Sequence, residues 1–600
     1  MLRLSTKALL AVAVLCLVSA VASAQVCSEW IWSNPMPQGN RLNGVAHGAS
    51  GFVAVGGSGT VLTSPTGIAW TPRYPDTRAE LNDVAWNGKA FVAVGEGGFA
   101  WSSPDGVFWT KSAVGSASAL AHLAWNGNLF AAVGGSGTIL TSADGSAWTA
   151  RASGTVQDLH DIAWSGSRYV AVGELGTILT STDGISWSKS GLDSLDQMLS
   201  VTWNGNEFLV GGSAFLTSFV LHGKDGSNWT GDTLGLYTPM LRMAKTFSGM
   251  LGVGGAGSVF SSADGQDWSV TYAPTSSNLL GIATDGTTIV TVGSKGAILT
   301  SADGSAWTHR TAGNRSSFGD VVSDGTRYVA VGAASVMTSP DASNWTTVTP
   351  FFDKWLLGVA TNGSLFVAVG EQNAIFTSPD GVAWTRRTPV ETVVLHDVIW
   401  DGSRFVVVGS DGAVRTSSDG ISWTEMPRSG NVLKSIAFNG SLYVAAGGDA
   451  ARVIYSSADL SSWTLRLSAG GDALNDVAWN GSKFVAVGDE GAAYSSPDGF
   501  AWQSSGVVTP EMFYGVTWNG SNFVAVGTGG LRAESADGVA WSSVDSTTSN
   551  DLYNVKWTGG RLIALGRFGT VLADSCGAQR SSVASPATRP GRRAPRTVDR

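Results

Sequence analysis

The chain has 600 residues, among them 78 Gly and 25 Trp; only 14% are charged, and its formal charge is −9. It is far longer than one typical domain. Its acidic balance argues against nucleic acid or an anionic membrane as the main partner, since both require phosphate neutralisation.

Residues 1–24 read as a secretory signal peptide. Arg3 and Lys7 form the charged start, Ala8 to Val18 the apolar stretch, and Ala22-Ser23-Ala24 a small-residue cleavage site before Gln25. The stretch is short for a membrane span, and Leu15 before Cys16 matches a lipoprotein cleavage box poorly. No later segment has 18 uninterrupted apolar residues, so no membrane span is expected. The expectation is an exported protein: periplasmic, extracellular or cell-surface.

From residue 25 to 576 a unit of about 39 residues recurs, with Leu474 to Gln503 as its clearest copy. Leu474, Val477 and Trp479 suit a strand, and Asn480-Gly481 is a tight-hairpin signal. Phe484-Val485-Ala486-Val487, stopped by Gly488, reads as a strand buried on both faces. A third strand runs from Ala492 to Ser495 and ends at Pro497-Asp498-Gly499, and a fourth carries Trp502. Four strands in so short a unit leave no room for a helix.

The turn into the fourth strand is the most regular feature. Asp105, Asp144, Asp183, Asp225, Asp264, Asp303, Asp341, Asp380, Asp419, Asp459, Asp498 and Asp537 each precede a Trp by four residues, usually with Ser two residues before. A carboxylate that accepts nearby backbone N–H groups, a Gly with free φ and a Trp folded over the turn make a side-chain-stapled turn. These aspartates are therefore expected to be structural and not metal ligands. The S-x-D-G-x-x-W pattern resembles the Asp-box of BNR-type β-propellers, shortened by one residue between Asp and Trp. The resemblance covers roughly residues 27–576 and implies an all-β propeller of four-stranded blades. Its relatives include sialidases, tandem-propeller xyloglucanases, sortilin-type receptors and photosystem II stability/assembly factors. The box is structural in that family, so it points to no reaction.

Thirteen box Trp residues, from Trp70 to Trp541, close thirteen complete units. The stretch Leu199 to Trp229 carries three extra residues and has Gly223 in place of the turn Ser; the next unit, near Leu241 to Trp268, lacks the Trp-Asn-Gly signal. Leu552 to Asp574 supplies only three strands, and Cys27 to Trp32 supplies the missing Trp-bearing fourth. Joined, they make a fourteenth blade and leave no unpaired edge. Fourteen blades suggest two seven-bladed rings, with one large ring as the alternative. For two rings, either one is inserted into the other or the first strand crosses between them. The shared blade also places Cys27 beside Cys576, so a disulfide between them is expected. Residues 577–600 contain six Arg and one acid and read as a disordered basic tail.

Candidate sites are few. Asp83, Asp161, Asp320, Asp397 and Asp476 recur on first strands of alternate units, where Gly44, His122 and Gly515 stand in odd ones. First strands line a propeller axis, so these acids read either as a cationic-ligand rim at a channel mouth or as local caps and turn bonds. Eight first-strand Trp residues, from Trp86 to Trp557, read as inter-blade core; Trp101 and Trp355 fall outside both Trp series and are the candidates for exposed contacts. No Arg-Ile-Pro, G-x-S-x-G, H-E-x-x-H or phosphate loop occurs, and the six His show no metal-ligand spacing. No catalytic residue, metal or cofactor is assigned. The reading is an exported, non-enzymatic propeller scaffold for a protein partner; the alternative is a glycan-binding protein or glycoside hydrolase of the sialidase or xyloglucanase type.

Overall fold

The computed structural model describes residues 30–33, 39–73, 77 and 79–574, apart from 191–195, 215–216, 235–237, 311–315, 349–353, 389–391 and 545–547. The expected signal peptide, Cys27, Cys576 and residues 577–600 lie outside the described residues. Among the described residues there is no α-helix, and the strands form fourteen four-stranded antiparallel sheets. Each sheet is one blade, numbered 1 to 14 along the chain.

The blades close into two rings of seven. The inner strand Leu42–Gly48 of blade 1 packs against Leu81–Trp86 of blade 2 on one side and Leu279–Thr284 of blade 7 on the other. Leu42, Phe52, Val290 and Val292 share one core at that seam. In the second ring, Phe318–Ser323 of blade 8 packs against Leu356–Thr361 of blade 9 and Leu552–Thr558 of blade 14. There Phe318, Met337, Ile563 and Leu565 form the shared core. The outer strand of blade 14 is Trp30–Trp32, paired antiparallel with Val571–Asp574, Trp30 opposite Asp574. The first strand therefore belongs to the second ring, and the entire first ring is inserted after it.

Each blade forms for the same local reasons. The second strands, such as Phe484–Gly488, are fully buried between neighbouring blades, which is why they read as unbroken apolar runs. Gly488 ends its strand because a Cβ there would collide with the Ala473 carbonyl. All fourteen inner strands shift register near their start, as between Leu474 and Asp476 or, in blade 5, Met198 and Ser200, leaving one extra residue in a β-bulge. In the box of blade 2, Val107 and Phe108 N–H donate to Asp105 Oδ1 (2.8 and 3.1 Å), and Gly106 N–H donates to Ser103 Oγ (2.8 Å). Trp109 Nε1–H donates to the Gly106 carbonyl at 2.9 Å, locking the indole over the turn. The three extra residues of blade 5 lengthen its second hairpin to Phe208–Ala214 and Thr217–Gly223.

Candidate functional site

The bulge residues put a ring of side chains around each axis. In the first ring the position after the bulge holds Gly44, Asp83, His122, Asp161, Ser200, Arg242 and Gly281; in the second it holds Asp320, Gly358, Asp397, Ser435, Asp476, Gly515 and Asn554. The acids are buried and turn toward the next blade. Asp161 Oδ2 accepts Val201 N–H at 2.8 Å, Asp320 Oδ2 accepts Val359 N–H at 2.9 Å, and Asp476 Oδ2 accepts Val516 N–H at 2.8 Å. Asp397 Oδ2 accepts Ile436 N–H at 3.0 Å, and Asp83 Oδ2 accepts Leu123 N–H at 3.3 Å. Except in Asp83, the second oxygen accepts the N–H of the residue that follows in its own strand.

This cross-blade bond explains the alternation. A Cβ on Gly44 would lie 2.8 Å from the Asp83 Cα, and one on Gly358 would lie 3.0 Å from the Asp397 Cα. That close approach accounts for Gly at these two positions, while His122 fits between two acids by pairing with both carboxylates.

The two axes differ in charge. In the first, His122 lies between acids, with Nε2 2.9 Å from Asp83 Oδ2 and Nδ1 2.8 Å from Asp161 Oδ1; Arg242 Nη1 is 2.9 Å from the same Asp161 oxygen. Burial and the Arg242 charge push His122 down, but the Asp161 and Asp83 carboxylates outweigh them and hold it up at about 9. Burial pushes Asp161 up, yet Arg242 and His122 hold it well below the usual carboxylate range. Two acids and two cations balance. In the second, three acids face Lys556, whose Nζ is 3.9 Å from Asp320 Oδ1. Burial raises Asp320 to about 7 against the pull of Lys556, and burial likewise raises Asp476. Ser435 Oγ lies 3.1 Å from Asp397 Oδ2 and 2.6 Å from Asp476 Oδ1; its one proton can serve only one of them. Among the described residues no group of three or more His, Cys, Asp or Glu is arranged to hold a metal ion.

The extra residue of each bulge lies at the mouth of its axis. In several blades it stitches the seam: Asn82 Nδ2 donates to the Leu120 carbonyl and Asn475 Nδ2 to the Phe513 carbonyl, both at 2.8 Å. Blades 13 and 14 carry Tyr514 and Tyr553 there instead, and blade 8 carries Gly319. Trp355 reaches from the start of blade 9 past blade 8 to Tyr553, centroids 5.9 Å apart, and Tyr553 meets Tyr514 edge-on at 5.6 Å. All three rings are half-buried, and Met512 beside Tyr514 is exposed. The other Trp candidate is corrected: Trp101 is 1% exposed, packed on a third strand in the core between blades 1 and 2, where other blades place Leu, as at Leu62 and Leu140, or a larger side chain, as at Phe260 and Tyr494. The Tyr514–Tyr553 pair was missed because each Tyr occupies a variable bulge position that gives no signal alone.

The fold and its axes define a tandem seven-bladed β-propeller with Asp-box turns. No family model matches the sequence, and no curated protein aligns with it. Solved structures with similarity include YCF48 bound to D1 peptide (16% identity, TM-score 0.38, covering 43% of this chain and 92% of that one). YCF48 from Cyanidioschyzon merolae is similar at 17% identity and TM-score 0.37, covering 43% and 95%. The GH74 enzyme of Niastella koreensis is similar at 15% identity and TM-score 0.38, covering 92% and 94%.

Proposed function

We propose that the protein is an exported, non-enzymatic scaffold that binds a protein partner at the mouth of the second ring. The observation that carries this reading is the Trp355–Tyr553–Tyr514 cluster with Met512 at its edge. Clustered, half-buried Trp and Tyr beside Met have the composition of an interface core, and a ring with an apolar body and a polar tip suits a surface that is wet when free. The axis acids support the non-enzymatic part, because their oxygens are engaged by backbone N–H groups across each seam.

The test is a pull-down from the native cell envelope with the wild type and with a Tyr514→Ser/Tyr553→Ser variant, alongside a glycan array and a fluorogenic glycoside screen. A protein captured by the wild type and lost in a variant of unchanged unfolding midpoint supports the reading. Turnover abolished by changing one carboxylate would establish a hydrolase instead, and glycan binding without turnover a lectin.

A further inference from the structure

The two blades that depart most from the repeat enclose a pocket of about 440 Å³. Blade 5 keeps the usual aromatic pair, Trp203 on Phe208, with centroids 4.9 Å apart. In blade 6 the paired positions hold Lys245 and Met250, and Gly249 stands where blade 5 has Glu207. Lys for Trp, Met for Phe and Gly for a long side chain remove the bulk that fills this space, and Lys245, Gly249 and Met250 line what is left.

Three charges line the pocket, Glu207, Asp264 and Lys245, and the cation pairs with neither acid; Asp264 Oδ1 is taken up by its own turn, where it accepts Gln266 N–H at 3.0 Å. Glu207 is 8% exposed. Its Oε1 accepts Gln266 Nε2–H at 2.7 Å and lies 3.5 Å from His222 Nδ1; its Oε2 has no partner. The Nζ of Lys245 packs over the adjacent hairpin, where a Cβ added to Gly205 would lie 2.6 Å from it, and it makes no hydrogen bond or ion pair. The Glu207 Oε2 keeps contact with solvent at the pocket, and the nearby cation does not pair with it. The floor is the buried Met250. The volume lies in the range of small-molecule sites, and the mostly polar lining suits a charged ligand.

We propose that the pocket between blades 5 and 6 binds a small dipolar ligand whose ammonium group meets Glu207 and whose carboxylate meets Lys245, with a free α-amino acid as the chemical class. This site lies in the first ring and does not depend on the partner-binding mouth of the second. The test is isothermal titration of the full-length protein with the standard free L-amino acids, then with the N-acetyl and carboxamide forms of the tightest one, and with glucose. Saturable binding of a free amino acid is expected, weakened about tenfold or more by capping either end, which removes one of its two charges. Glu207→Gln and Lys245→Met should each give the same loss; Lys245 is exposed, so its replacement leaves the unfolding midpoint unchanged. The absence of saturable heat with every amino acid would overturn the proposal. So would equal affinity for a capped form or for glucose, or binding that survives Lys245→Met.

Discussion

The turns between second and third strands repeat one backbone demand. Their middle residues, Ser58, Ser136, Ala256, Lys295, Asp411, Glu490 and Phe568, all have φ between 51° and 57°, a left-handed conformation that L-residues resist. Blade 13 places Gly529 there, at φ 60°. Ala256 is exposed and its methyl is its only side-chain investment, so Ala256→Gly should stabilise by about 0.5 kcal/mol after the entropy of the freer unfolded chain is subtracted. A Cβ on Gly529 would meet nothing within 4 Å, so Gly529→Ala should cost about 1 kcal/mol through the backbone alone. Opposite shifts in the urea unfolding midpoint would show both effects; equal shifts would refute the strain argument. The box aspartates are a second residue-scale case. In Asp105 the Val107 N–H, opposed by slight burial and joined by Phe108 N–H, holds the carboxyl below 3.8. Its stabilisation is complete above that pH and is lost as pH falls through the lower folded value. Because Oδ1 already accepts two backbone N–H groups and the Ser103 hydroxyl, chelator should leave the melting temperature unchanged. A drop of several degrees that calcium restores would count against this.

At the scale of the element, seams between blades are where charge does structural work. His122 holds the inner strands of blades 2, 3 and 4 together through Asp83 and Asp161, with Arg242 of blade 6 on the same Asp161 oxygen. Its folded value of about 9 exceeds the free value of 6.5. The stabilisation is therefore fully present below pH 6.5 and is lost as pH rises through 9, a change on the order of 3 kcal/mol. Thermal unfolding between pH 6 and 10 should show this loss, and His122→Gln should flatten the profile while lowering stability at pH 6. An unchanged slope in that variant would show that the imidazole does not carry it. The alternation of acid with Gly, Ser or His is visible in the chain as a pattern. Its cause is not, because the carboxylate of one repeat bonds the backbone of the next, and that depends on the bulge geometry. Trp101 illustrates the same limit. A Trp outside the regular series suggested exposure, yet strand periodicity aims it inward at a position that varies between blades, from Leu62 to Phe260 and Tyr494.

For the whole molecule, the blade count was legible because every unit carries its own hairpin, turn and Trp, each specified locally. Two rings of seven were expected from the blade number alone, but where each closes was not legible, since closure pairs ordinary inner strands: Leu279–Thr284 turns back to Leu42–Gly48 with nothing in its sequence to mark it as the seventh. The Trp355–Tyr553 contact was hidden for the same reason, as it exists only once blade 14 returns to blade 8. The closure of the second ring leads to the last prediction. Trp30 lies opposite Asp574, and Ser33 N–H donates to the Val571 carbonyl at 2.9 Å. Cys27 is three residues before that pairing and Cys576 two residues after it. The register that sets Trp30 opposite Asp574 leaves Cys27 and Cys576 one residue out of step, so the bond requires the chain ends to leave the ladder before they meet; an exported protein matures where disulfides persist. A disulfide between Cys27 and Cys576 is expected to lock the ring. Chain-entropy scaling gives roughly 6 kcal/mol for so long a loop, an upper bound because denatured-state structure reduces it. Non-reducing peptide mapping should recover the linked pair. Reduction, or Cys27→Ser with Cys576→Ser, should lower the unfolding temperature of the second ring and release Trp30–Trp32 to hydrogen exchange. Free thiols at both positions in the exported protein would refute the bond, while the strand pairing itself would still close the ring.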